Sequence, residues 1–494
     1  MSLYLHNTLS GKKELFSPIK KGAVSLYSCG PTVYNFAHIG NLRSYVFADT
    51  LRRVLEYNGN KVKHVMNITD VGHLTGDGDD GDDKMVKALK REGKPFTLVA
   101  MREIADFYAE AFKQDLTKLN IQIPKTLEFA SDHIKEDIEL VKKLEEKGFA
   151  YKTKDGIYFD TGKFPSYGKL GNINLEGQKA GARVAVNPEK KNPADFSLWK
   201  FGTHGIGTIP NNKNVLGWES PWGVGFPGWH IECSAMSSHY FGQPFDIHTG
   251  GIDHIPVHHN NEIAQSEAAY GVPLAHYWLH NAFLNVTSGP AVAKSSGEVK
   301  KMAKSGENFL TLKKMQDEHD ISPLAYRFWL LTAHYRKGIE WSAEAVKASQ
   351  VFYEKILNFY LSLQAIKKGK ADADLQKKFE TAINDDMNTA EAIALIPKLI
   401  SSTSIAPEDK KATLEDFDRV LGLNLKNEMR KEVVLPSDVE KLKEERELAR
   451  KNKDWKNADM LRGKIEALGF SVIDVEEGSI MKKKATSSKP KLIR

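Results

Sequence analysis

Cysteine is nearly absent from this sequence, whose 494 residues contain only Cys29 and Cys233. Two cysteines cannot build a disulfide framework, and their scarcity favours a reducing compartment. Long apolar runs are also missing, since no segment approaches the roughly 20 apolar residues that span a bilayer. The N-terminal stretch MSLYLHNTLSGKKELF lacks the apolar core of a secretory signal. We therefore expect a soluble, cytoplasmic protein that does not bind a membrane.

A strong excess of one charge sign is missing as well. The chain has 70 Lys and Arg against 64 Asp and Glu, which gives a net charge of +6. Its last fourteen residues, MKKKATSSKPKLIR, include six of the basic residues and no acid, so the rest of the chain is formally neutral. For such a tail, a disordered solubilising end is favoured over a contact with phosphate. Charge alone is no evidence for a nucleic acid partner.

The pattern of apolar residues predicts an α/β protein. The run GAVSLYSCG predicts a short strand that ends at Cys29 and Gly30, and apolar residues with helical period follow it from Tyr45 to Leu55. KVKHVMNITD predicts a second, buried strand, and residues 84–119 and 131–147 predict long amphipathic helices. Strands that alternate with helices indicate a parallel sheet.

The rest of the chain predicts an insertion, a return to the sheet and a helical end. TKDGIYFDTGKFPSYGKLGN suggests β-hairpins and KKNPADFSLWK a loop, whereas FDIHTGGIDHIPVHHNNEIAQSEAAYG again suggests strand, turn and helix. Residues 322–424 show helical apolar stripes throughout. The predicted division is 1–130 and 226–285 for the two halves of the sheet domain, 131–225 for the insertion, 286–321 for a lysine-rich loop region, 322–430 for a helix bundle, and 436–494 for a small module of two short helices with the basic tail.

Both cysteines fall where loops are expected to meet the sheet. Cys29 ends the first strand, and Cys233 precedes the strand that leads to His258. Open parallel sheets bind ligands beyond the carboxyl ends of their strands, so these residues should gather with Glu262, one helical turn after His258. Two thiolates, an imidazole and a carboxylate suit Zn²⁺, although two inert cysteines and a polar helix are the alternative. Further histidines keep the choice of ligands open: His248, His254 and His259.

Two short motifs contain residues that could bind phosphate groups. HIGN opens the first helix, so His38 and Asn41 lie at a helix N-terminus, where backbone N–H groups and the helix dipole favour anions. KKMAKSGENF places Lys301 and Lys304 on a loop, where their ammonium groups can follow the charge that develops on a triphosphate. Taken alone, each motif is better explained as a helix cap or as a lysine-rich surface loop.

Together these stretches resemble the cysteinyl-tRNA synthetases, a family of class I aminoacyl-tRNA synthetases. The resemblance covers essentially the whole chain and rests on YSCGPTVYNFAHIGN, NITDVGH, PWGVGFPGWHIECSAM, HHNNEIAQSE, KKMAKSGENF and ARKNKDWKNADMLRGKIEALGF. It implies an α/β fold with a Rossmann-like parallel-sheet catalytic domain that contains an insertion. An all-α helix bundle and a small C-terminal module of the anticodon-binding type would follow.

The resemblance also implies roles for the residues that match the family's motifs. As zinc ligands it implies Cys29, Cys233, His258 and Glu262. As catalytic residues of the HIGH-type motif and the KMSKS-type loop it implies His38, Asn41, Lys301 and Lys304. As ATP contacts it implies Gly40, Gly251, Asp253 and again Lys304, and as cysteine contacts Gly30, Thr69 and Trp229.

The activity that this resemblance implies is ligation of cysteine to tRNA. L-cysteine would react with ATP to give cysteinyl-adenylate, and the 3′-terminal ribose of tRNA(Cys) would then accept the aminoacyl group. The cofactors would be one Zn²⁺ per chain and Mg²⁺ with the ATP, and the enzyme would be a monomer. Because size alone separates cysteine from serine by only roughly 1 to 3 kcal/mol, zinc would supply the selectivity.

Some features of the sequence depart from the family pattern. Ala303 replaces the serine that is usual in the lysine loop, Phe226 stands where arginine is common, and NVTSGPAVAKSSGEVKK is longer than expected. A ligase that joins cysteine to an amino-sugar acceptor through the same adenylate is the main alternative. A non-catalytic tRNA-binding paralogue and a zinc hydrolase are further alternatives, but the motifs above are intact and no HExxH arrangement occurs.

Overall fold

A computed structural model of the protein describes residues 2–74, 83–173, 188–201, 216–287, 299–301, 309–428, 435–475 and 478–483. The chain forms two compact units, one of Ser2–Thr311 with Tyr335–Glu340 and one of Leu312–His334 with Trp341–Arg494. The finer division into six segments stays a prediction. Within the described ranges, no helix is long and apolar enough to cross a membrane.

The first unit contains both an α/β part and smaller antiparallel sheets. Its described strands and helices are β1 (Tyr4–Asn7), β2 (Lys12–Leu15), β3 (Ala23–Ser28), α1 (Ile39–Tyr57), β4 (Lys61–Ile68), α2 (Lys84–Arg91), α3 (Leu98–Lys118), β5 (Thr126–Phe129), α4 (Ile134–Glu146), β6 (Ala150–Lys152), β7 (Gly156–Phe159), β8 (Phe196–Phe201), β9 (Gly225–Pro227), α5 (Trp229–Phe241), β10 (Phe245–Gly251), α6 (His258–Tyr270), β11 (Ala275–Asn281), β12 (Leu284–Thr287), β13 (Val299–Lys301) and β14 (Ile339–Trp341).

A five-stranded parallel sheet organises this unit, with the order β11-β10-β3-β4-β5. Leu26 of β3 lies opposite Ile247 of β10 on one side and His64 of β4 on the other. Every residue of β10 is buried, as expected for a parallel strand covered on both faces. The strand order reverses beside β3, so the carboxyl ends of β3 and β10 border the crevice where such sheets bind ligands. The predicted Rossmann-like α/β fold is thus confirmed.

Two predictions about local structure around the sheet are wrong. The predicted helix over residues 84–119 is two helices, α2 and α3, because Gly93 has a positive φ of 62° and Pro95 follows before Thr97 caps α3. The predicted loop KKNPADFSLWK contains strand β8, the third strand of the antiparallel sheet β6-β7-β8-β9. Phe196 and Leu198 of β8 are buried in a core shared with helices α4, α5 and α6, which explains the strand.

A third sheet, of order β13-β12-β14, follows the parallel sheet in the chain. The guanidinium of Arg43 on α1 ties the core to this region, because it donates to the carbonyl oxygens of Phe283 and, at 2.6 Å, Lys337. The backbone of Lys301 belongs to β13, so its predicted place on a loop is wrong. Lys304 and Ala303 lie outside the described residues.

The second unit is mainly helical and ends in a β-hairpin. Its described helices and strands are α7 (Leu312–His319), α8 (Pro323–Leu331), α9 (Ala343–Ser362), α10 (Ala373–Asn384), α11 (Thr389–Ile393), α12 (Leu395–Ser401), α13 (Pro407–Leu421), α14 (Leu425–Glu428), α15 (Ser437–Lys451), α16 (Trp455–Ala467), β15 (Phe470–Val475) and β16 (Gly478–Lys483). The predicted bundle is therefore not helical throughout, since β14 interrupts residues 322–424. The C-terminal segment also has more than the two predicted helices, because Phe470 and Met481 of the hairpin share a core with Val439 and Ile465.

Candidate active site and metal cluster

A cavity of about 400 Å³ opens at the carboxyl ends of the parallel strands. The structure brings most of the predicted site residues to its walls: Cys29, Gly30, His38, Gly40, Asn41, Thr69, Trp229, Cys233, Gly251, Asp253 and His258. Glu262 lies beneath them and is fully buried. For Lys301 only the backbone is described, and Lys304 is outside the described residues.

The four predicted metal ligands converge at the floor of this cavity. Their donor atoms all lie within 4.8 Å of one another. The two sulfur atoms of Cys29 and Cys233 are 3.8 Å apart, and Nε2 of His258 is 3.0 Å from Oε1 of Glu262. Cys233 lies in helix α5 and not on a loop, which corrects the prediction, because α5 begins at Trp229, directly after Gly228. The cluster therefore joins one strand end, β3, to two helices, α5 and α6.

The electrostatics of the cluster favour a thiolate at Cys233 and a carboxylate at Glu262. The hydrogen bond with Cys29 lowers the pKa of Cys233 to about 6, although burial opposes this shift. Burial raises the pKa of Cys29 itself. Burial alone would lower the pKa of His258, but the Glu262 carboxylate and Cys233 raise it to about 10. His248 and His258 in turn hold the pKa of Glu262 well below its usual range, against the effect of burial. A buried thiolate and carboxylate are donors that a cation would satisfy.

A second set of donors overlaps the first. Cys29 and Glu262 also lie with His248 and His259 within 4.8 Å. Nε2 of His259 is 3.3 Å from the Cys29 sulfur, and Nε2 of His248 is 2.9 Å from Oε2 of Glu262. Nδ1 of His258 lies 2.9 Å from Nδ1 of His230, a partner on the far side of the ring from Glu262. Both sets are geometrically possible, so the histidine ligand stays a prediction.

The N-terminus of α1 forms another part of the wall. His38 is the N-cap, because its Nδ1 accepts the Asn41 N–H at 3.0 Å while Oδ1 of Asn41 accepts the His38 N–H at 3.4 Å. This reciprocal pair is a capping box. Since Nδ1 accepts, the neutral ring carries its proton on Nε2. The imidazole is thus both a cap and a potential donor, so the two explanations of HIGN are compatible.

A chain of hydrogen bonds holds the wall next to the cysteines. The Gly30 N–H donates to Oδ1 of Asn67 at 2.8 Å, and Nδ2 of Asn67 donates to the Thr69 hydroxyl at 3.1 Å. That hydroxyl donates to Oε2 of Glu232 at 2.8 Å. A Cβ at Gly30 would lie 1.5 Å from the Asn67 carbonyl oxygen, so only glycine allows this close approach.

Comparison with known proteins connects this fold and site to one family. The family model described as tRNA synthetases class I (C) catalytic domain matches residues 15–351. The chain is 44% identical over 478 residues to Cysteine–tRNA ligase 1 of Burkholderia lata, which covers 97% of this chain and 96% of that one. It is 42% identical over 509 residues to a Cysteine–tRNA ligase of Treponema denticola, with 96% and 98% covered. The chain belongs to the cysteine–tRNA ligase family.

Solved structures agree on the fold of this cysteine–tRNA ligase family member. A LeuRS of Agrobacterium radiobacter, in a ternary complex with tRNA and LeuAMS, matches with a TM-score of 0.58 at 13% identity over 84% of this chain and 85% of that one. Mycobacterium tuberculosis methionyl-tRNA synthetase in complex with methionyl-adenylate gives 0.51 at 17% identity over 81% and 90%. At these identities the likeness shows the fold alone, that of class I synthetases.

In this member of the cysteine–tRNA ligase family, the sequence did not predict the part of the cavity wall that His73 and Lys84 form beside Trp229. The His73 ring stacks on Trp229 with centroids 3.9 Å apart, and its Nδ1 lies 2.6 Å from the Thr32 hydroxyl. Nζ of Lys84 contacts Nε2 of His73 and lies 5.9 Å from the Trp229 ring. The signal was present in the stretch NITDVGH, which ends at His73. Phe226, in contrast, is buried in the core and lines no part of the cavity.

Proposed function

We propose that this protein activates L-cysteine with ATP to cysteinyl-adenylate and transfers the cysteinyl group to the 3′-terminal ribose of tRNA(Cys). The observation that carries the proposal is the cluster of two thiols, imidazole and carboxylate at the floor of the cavity, in a chain that matches named Cysteine–tRNA ligases over nearly its whole length. Neither step needs a protein nucleophile. Positioning and charge stabilisation are sufficient, which agrees with a cavity lined by amides, histidines and glycines.

The donor set fits one zinc ion held by Cys29, Cys233, His258 and Glu262. Two sulfurs bound at about 2.3 Å in tetrahedral geometry lie about 3.8 Å apart, which is the spacing of the two thiols. Bound zinc would favour the thiolate of cysteine over the hydroxyl of serine. The residues around the cluster then orient the substrate: Gly30 and Thr69 on one wall and Trp229 on the other.

The proposed ATP site uses other residues of the cavity wall. The N-terminus of α1, with Gly40 and Asn41, offers backbone N–H groups and its dipole to the phosphates, and His38 offers Nε2–H. Gly251 and Asp253 would take the adenine and the ribose. A Cβ at Gly251 would lie 2.3 Å from Oδ1 of Asp253, so glycine is needed for the carboxylate to lie there.

The remaining proposed parts lie in the lysine loop and the second unit. Lys301 and Lys304 would follow the charge on the triphosphate, and Mg²⁺ would accompany the ATP. The small C-terminal module would contact the anticodon region of the tRNA. We propose a monomeric enzyme, as the resemblance to the family implies.

Three measurements on one preparation test this proposal: cysteine-dependent exchange between ATP and pyrophosphate, charging of purified tRNA, and bound zinc. We expect exchange, charging of tRNA(Cys) only, and one sulfur-ligated zinc per chain. Exchange without charging would instead support the amino-sugar ligase, and no exchange would support a tRNA-binding protein.

The variant Cys233→Ala tests whether zinc is bound at the two cysteines and selects the substrate. It should lose the sulfur-ligated zinc and the preference for cysteine over serine, while Ser238→Ala on the same helix should keep both. Unchanged discrimination in Cys233→Ala would show that the metal does not select the substrate.

A further inference from the structure

A second group of metal-type ligands lies away from the cavity, where α4 begins and α5 ends. One ligand atom from each of His133, Glu136 and His239 lies within 4.8 Å of the other two. Oxygens of Glu136 lie 3.8 Å from Nδ1 of His133 and 3.3 Å from Nδ1 of His239. His239 is six residues beyond Cys233, about 9 Å along the axis of α5. None of the three residues lines the cavity.

The hydrogen bonds of His133 leave one of its nitrogens aimed into this cluster. Nε2 lies 3.1 Å from Oε2 of Glu128, whose carboxylate also accepts the hydroxyl proton of Tyr240. Because a carboxylate only accepts, Nε2 of His133 carries the proton and Nδ1 of the neutral ring is an acceptor. This Nδ1 is buried and has no hydrogen-bond partner among the described residues. The Glu136 carboxylate, whose Oε2 lies 3.8 Å from this nitrogen, is also an acceptor, so a cation bound between them would satisfy both.

We propose that His133, Glu136 and His239 bind a divalent transition-metal ion such as zinc. Two imidazoles and a carboxylate suit such an ion, and the remaining coordination positions would be filled by water. The side chain of His133 is 7% exposed and that of His239 is 45% exposed, so the site has a fixed inner ligand and an outer ligand open to solvent. Glu128 orients the inner ligand in the way that carboxylates support metal-binding histidines.

Such an ion would link the start of α4 to α5, the helix that carries part of the cavity wall. His133 ends the 3-10 helix Ala130–His133 and Glu136 lies in the first turn of α4, whereas His239 lies near the end of α5. Trp229 begins α5, and Cys233 lies in its second turn. The bound metal would therefore fix the distal end of the helix that carries part of the cavity wall. The site is independent of the reaction proposed above.

Cobalt titration of the full-length, metal-stripped protein tests the proposal. Cobalt bound to thiolates gives a sulfur-to-metal charge-transfer absorption, whereas cobalt at the second cluster would give only weak visible bands. We expect one equivalent of cobalt without charge transfer in the unaltered protein. This equivalent should be lost in His239→Gln and in Glu136→Gln. It should persist in the matched control Glu139→Gln, whose carboxylate lies on the same helix and is 62% exposed.

Glu128→Gln tests whether Glu128 orients the metal ligand His133 or only packs against it. If Glu128 orients the ligand, the variant should still bind one equivalent of cobalt without charge transfer, but with an affinity about 10- to 100-fold lower. All four variants should retain cysteine-dependent exchange, since none of these residues lines the cavity. The proposal would be overturned if the unaltered protein bound no cobalt other than cobalt that shows sulfur-to-metal charge transfer. It would also be overturned if His239→Gln and Glu136→Gln bound that equivalent as tightly as Glu139→Gln. Neither result would bear on zinc at the two cysteines.

Discussion

At the scale of single residues, the Thr69 hydroxyl connects two buried groups, since it accepts from Asn67 and donates to Glu232. Thr69→Val keeps the shape but leaves an amide and a carboxylate without their partner. We expect a loss of about 1–3 kcal/mol in the free energy of unfolding, because unsatisfied buried polar groups cost that much. The KM for cysteine in ATP–pyrophosphate exchange should also rise. Urea unfolding and exchange kinetics check both effects, with Thr69→Ser expected to stay close to the unaltered protein.

The burial of the neighbouring residue, Asp70, predicts how the stability of the protein depends on pH. Ser131 donates to it through its N–H at 2.9 Å and through its hydroxyl at 2.6 Å, yet burial raises the pKa of Asp70 from 3.8 to about 6. A carboxyl whose pKa is higher in the folded state binds protons preferentially there, so stability falls as pH rises from about 4 through 6. Asp70→Asn removes this dependence. Relative to the unaltered protein, the variant should gain roughly 1–2 kcal/mol of unfolding free energy between pH 5 and pH 8.

Urea midpoints of both proteins at the two pH values measure this difference. An equal difference at pH 5 and pH 8 would show that Asp70 does not titrate in this interval. Ser131→Ala is a useful companion, because it removes one of the hydrogen bonds that stabilise the ionised form and should increase the pH effect.

The candidate site could be predicted from single residues only in part. The spacing of His258 and Glu262 on one helical face, and the end of β3 at Cys29, were enough to predict a metal cluster. The choice between His258 and His259 was not predictable, because adjacent residues on α6 both reach Glu262, at 3.0 and 3.8 Å. The stack of His73 on Trp229 depends on contacts between residues 156 positions apart, which no local pattern records.

At the scale of elements, the buried strands and the amphipathic helices were predictable because burial imposes a period on the sequence. β8 was missed because the polar stretch before Phe196 resembles a loop, while its pairing with β7 and β9 was not visible locally. The hairpin of β15 and β16 was missed for the same reason, since its apolar residues are buried against helices α15 and α16.

The close packing at the start of α5 leads to a prediction about the position of this helix. A Cβ at Gly228 would lie 2.1 Å from the Ser197 carbonyl oxygen, so Gly228→Ala must move either β8 or α5. Because α5 carries Trp229 and Cys233, we expect a loss of cysteine-dependent exchange and of sulfur-ligated metal together, with about 1–3 kcal/mol of destabilisation from overpacking. Metal analysis and exchange on the same preparation check this.

Gly463→Ala is the matched control for this substitution. Gly463 lies inside α16, and a Cβ there would meet no atom within 4 Å. It should stabilise the helix by about 1 kcal/mol and leave exchange unchanged. If Gly228→Ala behaved in the same way, the start of α5 would not position the site.

At the scale of the whole molecule, the two units differ in what they contain. Among the described residues, those that line the cavity all belong to the first unit, from Cys29 to Leu284. The last helices and the hairpin have a core of their own, which includes Val439, Ile465 and Phe470. The basic tail overlaps the end of β16 at residues 481–483, and its remaining residues, 484–494, lie outside the described residues. Formation of the adenylate and recognition of the tRNA should therefore be separable.

A chain that ends at Pro436 tests this separation. Because the cavity is untouched, cysteine-dependent exchange should stay within about twofold, whereas charging of tRNA(Cys) should fall at least tenfold in kcat/KM, a loss of about 1.4 kcal/mol or more in transition-state stabilisation. A chain that ends at Lys483 is the control, since it lacks residues 484–494 of the basic tail but keeps the hairpin, and it should charge almost normally. Retained charging in the shorter chain would contradict the proposed role of the C-terminal module, and equal losses in both chains would assign that role to the tail.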